Sequence, residues 1–240
     1  MAIAETRPSR GDGALAGFLL ILPVLVATAP FGLLWGAIAA RQGLSAAEVA
    51  LMSGLVFAGG AQFVVIDLWR EPAPVLFMTV TAALVNVRHI LMGAAFPPLL
   101  TRFRPGLAYA GLFLLVDESW ALALRRAEGR PLDPAFWFGL TVPMWFNWTI
   151  STTAGALLGQ AIADPAGFGL DFAFTAIFIG LTVGLWRGVS RSFLPWLASA
   201  AAASAAYLLI GSPWHVAAGG LAGLLIGAWQ AGGRPEEGGR

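Results

Sequence analysis

The sequence predicts an all-α fold, a polytopic transmembrane helix bundle of about seven to eight spans in which some helices are broken or kinked. Composition is the first observation behind this. Of 240 residues, 58% are hydrophobic and 11% charged, with a mean hydropathy of +0.77, against roughly 25% charged residues in an average soluble domain. The second is spacing: eight apolar runs, 14–39, 46–69, 73–100, 107–124, 134–162, 171–186, 193–211 and 213–230, follow one another at close to the roughly 20 residues that cross a hydrocarbon core. The third is that a few polar and charged residues sit inside these runs, where they are costly and so mark function or packing.

The first run follows Arg7 and Arg10 and contains Ala27-Thr28-Ala29, which is the pattern of a signal peptide. Apolar character continues through to Ala40 and further spans follow, so this run is read as a retained span, bent at Pro23 and Pro30. The second run holds Phe57–Phe63, FAGGAQF. Adjacent Gly59 and Gly60 each cost a helix about 1 kcal/mol relative to alanine and predict a break, whose exposed N–H groups suit the charged end of a substrate. Gln62 lies just beyond; its alternative role is a hydrogen bond to a neighbouring helix.

The third run carries Asn86, Arg88 and His89 near its middle, with Pro97 and Pro98 expected to bend its end. Asn86 and His89 share a helix face, whereas Arg88 points about 100° away. Arginine stays charged and needs a partner at membrane depth. Asp117 and Glu118 in the fourth run lie at a comparable depth, roughly 15 against 18 Å from the same membrane side at about 1.5 Å per residue. A pair between Arg88 and Asp117 or Glu118 is therefore expected, either fixing helix register or exchanging partners with substrate or proton. The fifth run contains Trp145, Asn147 and Trp148, with Ser151 and Thr152 one turn on; hydroxyls at such positions commonly bond back to their own helix. The last three runs are short and closely spaced, and the alternative is seven spans, with one of these merged or re-entrant.

Glycines recur every four residues at Gly32 and Gly36, Gly155 and Gly159, Gly180, Gly184 and Gly188, and Gly219, Gly223 and Gly227, a spacing that lets helix backbones approach closely. The stretch from Phe31 to Gly59 also resembles that from Ala154 to Gly184, an internal repeat of the kind found in transporters. Arginine placement sets orientation. With the N-terminus inside, ten arginines fall on the cytoplasmic side and Arg41, Arg102 and Arg104 outside. The expected organisation is a cytoplasmic tail over residues 1–12, one transmembrane transporter domain over 13–231 and a disordered tail over 232–240.

Enzyme chemistry has little support. The chain has no cysteine and only two histidines, which leaves no thiolate site and no HExxH metal motif. Ser53 and His89 lack the remaining features of an intramembrane protease. No cofactor or metal is expected, and a formal charge of +1 gives no global field for nucleic acid.

Taken together, Pro30-Phe31-Gly32, Gly43-Leu44-Ser45, Met52-Ser53, FAGGAQF, Asn86-Val87-Arg88-His89, Asp117-Glu118 and Gly169-Leu170-Asp171-Phe172-Ala173 resemble the AzlC family of branched-chain amino acid exporters. The resemblance implies an inner-membrane permease subunit that works with a small hydrophobic AzlD-type protein and exports leucine, isoleucine and valine, in some members methionine, with coupling to protons. On the residues themselves, the substrate-binding candidates are Gly59, Gly60, Gln62, Asn86, Arg88, Asn147 and Trp148. The candidates for proton coupling or a buried ion pair are Arg88, His89, Asp117 and Glu118. The competing expectation is a passive channel for a small polar solute, constricted at Asn86 and His89.

Overall fold

The computed structural model describes residues 13–70, 72–127, 131–159, 179, 183, 186, 188–211 and 214–232. These are helical throughout apart from turns, with no strand among the described residues. Among the described residues, three helices are long and apolar enough to cross a membrane, at 14–41, 75–94 and 189–209. Large apolar side chains are exposed along them, among them Leu15, Leu19, Val26, Leu76, Ile90, Leu208 and Leu209. The chain divides into two compact units, residues 1–78 with 86–170, and residues 79–85 with 171–240.

In the first unit, α1 (Ala14–Arg41) is one continuous helix through Pro23 and Pro30. Gly43, at φ +93°, turns the chain into α2 (Ala46–Val56). Ser45 starts α2 with a capping box: its Oγ accepts from the Glu48 N–H at 3.3 Å, and the Glu48 carboxylate accepts from the Ser45 N–H at 2.7 Å. The second run then breaks as its glycines predict. Phe57 takes φ 31° and ψ 53°, Ala58 is not helical, and α3 (Gly59–Ile66) begins at the glycine pair. A bulky residue in the left-handed region is strained by roughly 1–3 kcal/mol, so the surrounding packing must hold it there.

The third run forms α4 (Val75–Ala94). Pro97 and Pro98, expected from the sequence to bend this span, instead lie past the end of α4, in a separate 3-10 turn over Pro97–Leu99. The fourth run is interrupted as well. It forms α5 (Pro105–Phe113) and α6 (Asp117–Ala127), with Leu114–Val116 between them, where a single helix was expected. Asp133 caps α7 (Pro134–Leu158), its Oδ1 accepting from the Ala135 and Phe136 N–H groups at 2.6 and 3.2 Å.

α1 and α7 form the main packing interface of this unit, and glycine makes it possible. A Cβ on Gly17 would collide with the Phe136 carbonyl, one on Gly32 with the Ser151 side chain, one on Gly36 with the Thr152 carbonyl, and one on Gly155 with the Leu33 carbonyl. A Cβ on Gly159 would lie 2.7 Å from Ala37 Cα. Contacts climb together along both chains, so the two helices run parallel. Glycines paired by the sequence repeat, Gly32 with Gly155 and Gly36 with Gly159, thus sit at similar heights. Apart from residues 179, 183 and 186, the rest of the repeat's second copy and the sixth run lie outside the described residues.

In the second unit, a π-helical turn over Val189–Phe193 leads into α8 (Leu194–Leu209), and α9 (Trp214–Gly232) packs against it. A Cβ on Gly219 would meet Ala203 Cβ at 3.0 Å, and one on Gly223 would meet Ser199 Cβ at 3.3 Å. The tails at residues 1–12 and 233–240 lie outside the described residues.

Candidate functional site

Two sets of polar side chains gather at the two helix breaks of the first unit. At the α2–α3 break, Trp148 on α7 donates from Nε1 to Gln62 Oε1 at 2.7 Å. Gln62 donates from Nε2 to Ser53 Oγ at 3.4 Å, and Thr152 Oγ1 lies 2.8 Å from the same hydroxyl. All four residues are buried, Gln62 to 1% exposure. The Trp148 ring covers the start of α3 so closely that a Cβ on Gly59 would meet it at 2.9 Å. Trp145 Nε1 donates to the Gly54 carbonyl at 2.9 Å, a second tie from α7 to α2.

The network accounts for the strained Phe57, because α7 grips both sides of the break. Gln62→Leu is expected to lower stability by roughly 1–3 kcal/mol for each polar group it leaves buried and unpaired, here the Trp148 indole N–H. Thermal unfolding of the purified protein checks this; an unchanged midpoint contradicts it.

Asn147 goes elsewhere. Its Nδ2 donates to the Leu25 carbonyl at 3.2 Å and to Thr28 Oγ1 at 3.1 Å, tying α7 to α1. Ser151 bonds back to the Asn147 carbonyl at 2.6 Å, as expected for a helical hydroxyl, whereas Thr152 also reaches α2. The amide of Gln62, the amide nitrogen of Asn147 and the indole N–H of Trp148 are therefore all engaged by protein partners.

The second set surrounds the α5–α6 break. Arg88 Nη1 on α4 forms an ion pair with Asp117 Oδ2, the first residue of α6. The side chains are 33% and 32% exposed, so the pair is half open. Ser119 Oγ accepts from the Val116 N–H at 3.1 Å and holds the α6 start. Acidic Asp117 and Glu118 in the first turn and Arg125 and Arg126 in the last complement the helix dipole. Glu118 lies within electrostatic reach of Asp117 and Arg88. His89 lies beside Arg88, Asp117 and the Leu115 backbone. Buried polar atoms without a hydrogen-bond partner among the described residues concentrate here: Asn86 Oδ1, Arg88 Nε, His89 Nδ1 and Trp120 Nε1.

Thus the structure brings Arg88, His89, Asp117 and Glu118 together and joins Gln62 to Trp148 beside Gly59 and Gly60. It gives Asn147 a place against α1. Sequence reasoning missed the α5–α6 break and Trp120, although acid in the first turn, serine two residues on and one arginine pair in the last turn mark where a helix starts and stops. Among the described residues, no group of three or more potential metal ligands occurs.

An apolar helical chain with two interrupted spans and an ion pair at one interruption defines a class, the multi-pass membrane protein built in the way transporters place solute sites. The model of the AzlC protein family matches residues 23–162, more than half of the sequence, and the chain belongs to that family. It is 28% identical over 215 residues to an uncharacterized membrane protein of Archaeoglobus fulgidus, covering 89% of this chain and 93% of that one. It is 25% identical over 216 residues to the inner membrane protein YgaZ of Escherichia coli, covering 88% and 87%. With the branched-chain amino acid transport protein AzlC of Bacillus subtilis, identity is 25% over 185 residues, covering 74% and 70%. No solved structure matches the chain.

Proposed function

We propose that this chain is the large subunit of a branched-chain amino acid exporter of the bacterial inner membrane, with both termini cytoplasmic, working by alternating access. Membership of the AzlC family and the name of the Bacillus subtilis relative support the substrate class. The observation that carries the reading is the half-open Arg88–Asp117 pair at the α5–α6 break. Its two charges are complementary to those of an amino acid zwitterion. Arginine binds a carboxylate bidentately, and Asp117 accepts hydrogen bonds from an ammonium. Substrate entering here replaces one ion pair by two, so no charge is left bare at any stage. Asn86, His89 and Glu118 line the same region, and N–H groups at Gly59 and Gly60 offer a second place for a carboxylate. Gln62, Asn147 and Trp148 position these elements on the α1–α7 scaffold.

Glu118, within electrostatic reach of Asp117 and Arg88, is a group able to carry a proton the other way while Asp117 holds the ammonium; this supports proton-coupled export. A small hydrophobic AzlD-type subunit is the proposed partner. The test is counterflow of labelled leucine in proteoliposomes, with and without that subunit. Transient accumulation of label above equilibrium is the expected result, accelerated by a proton gradient. Label that only equilibrates identifies a channel and overturns the proposal.

A further inference from the structure

We infer that Trp120 reads the carboxylate of the substrate, through an indole N–H that the protein itself leaves unused. The inference rests on the amino acid site proposed above and adds a specificity residue to it. Trp120 lies one helical turn after Asp117, on the same face of α6. Aromatic side chains on a helix lean over the preceding turn, which for Trp120 is the turn that begins at Asp117. Trp120 Nε1 is buried and has no hydrogen-bond partner among the described residues. Such an orphan costs about 1–3 kcal/mol and in a native protein calls for an explanation.

Two other atoms, on residues around Asp117, share that condition. Arg88 Nε and His89 Nδ1 are also buried and unpartnered among the described residues, and both residues flank Asp117. Tryptophan can only donate, and so can the arginine nitrogen. An incoming group that accepts from both must carry acceptor oxygens. The ion pair with Asp117 runs through Nη1, and Nε is left over. The missing acceptor is an anion with two oxygens, and in a site whose other pole is a carboxylate, that is the carboxylate of a zwitterion. The ammonium goes to Asp117. The site then rejects analogues without the carboxylate, because they leave these donors bare.

The test is binding to the full chain, purified in lipid nanodiscs, of leucine and of leucinol, which keeps the ammonium and the side chain but lacks the carboxylate. Trp120→Phe keeps the ring and removes the N–H. It is expected to weaken leucine binding at least about tenfold and to change leucinol binding less than twofold. If the wild type ignores leucinol altogether, the carboxylate requirement is established directly and the loss on leucine alone decides. Unchanged leucine binding by Trp120→Phe, or equal losses for both compounds, overturns the role of Trp120. A wild type that binds neither leucine, isoleucine nor valine overturns the amino acid site itself.

Discussion

Neutralising either member of the ion pair, by Arg88→Gln or Asp117→Asn, is expected to abolish leucine transport while the protein stays folded in the membrane. Two magnitudes set this expectation. Removing one partner of a fully buried pair costs about 3–5 kcal/mol, whereas an exposed pair is worth only about 0–1. With both side chains about one third exposed, the loss in stability belongs toward the lower figure. Transport is different, because substrate must be desolvated to occupy the site, and truncating a charged partner there costs about 2–5 kcal/mol of binding. Counterflow rates are therefore expected to fall by about 30-fold or more, with membrane abundance and thermal unfolding little changed. Equal loss of abundance and transport points instead to a strut between α4 and α6.

The largest effect on stability is expected at Gly36. Its missing side chain lets α1 lie directly on the Thr152 carbonyl of α7, and Trp35 and Ala39 beside it are fully buried. Gly36→Leu forces the two helices apart along their whole contact. Overpacking of a close interface costs about 1–3 kcal/mol locally, and here the displacement also pulls α7 away from Gln62 and Ser53. Loss of folded, membrane-resident protein is expected, against near-normal levels for Gly220→Leu, where a Cβ meets nothing within 4 Å. Comparable abundance of the two variants contradicts the scaffold role of α1 and α7.

Much of the candidate site is legible in the sequence, for separate physical reasons. The adjacent glycines at 59 and 60 announce the break in the second span because a glycine pair is a poor investment inside a helix. The cost of bare charge in lipid points from Arg88 to Asp117, since few other groups lie at that depth. What stays hidden depends on three-dimensional context. The fourth run is apolar enough to pass for one helix, so the capping character of Asp117, Glu118 and Ser119 is masked by its surroundings. Asn147 looks like a pathway residue until α1 is seen to present the Leu25 carbonyl and Thr28 to it. Trp120 carries no signal beyond its spacing from Asp117, because an unused N–H is visible only once its neighbours are placed.

The Arg88–Asp117 pair is expected to serve substrate and not merely to join two helices. Exchanging the two charges, in the double variant Arg88→Asp with Asp117→Arg, separates these roles, since a strut is indifferent to the direction of its ion pair while a zwitterion held among fixed donors is not. Wild-type abundance and thermal stability are expected for the exchanged protein, with leucine counterflow at background. Recovery of counterflow by the exchange would contradict a role in serving substrate.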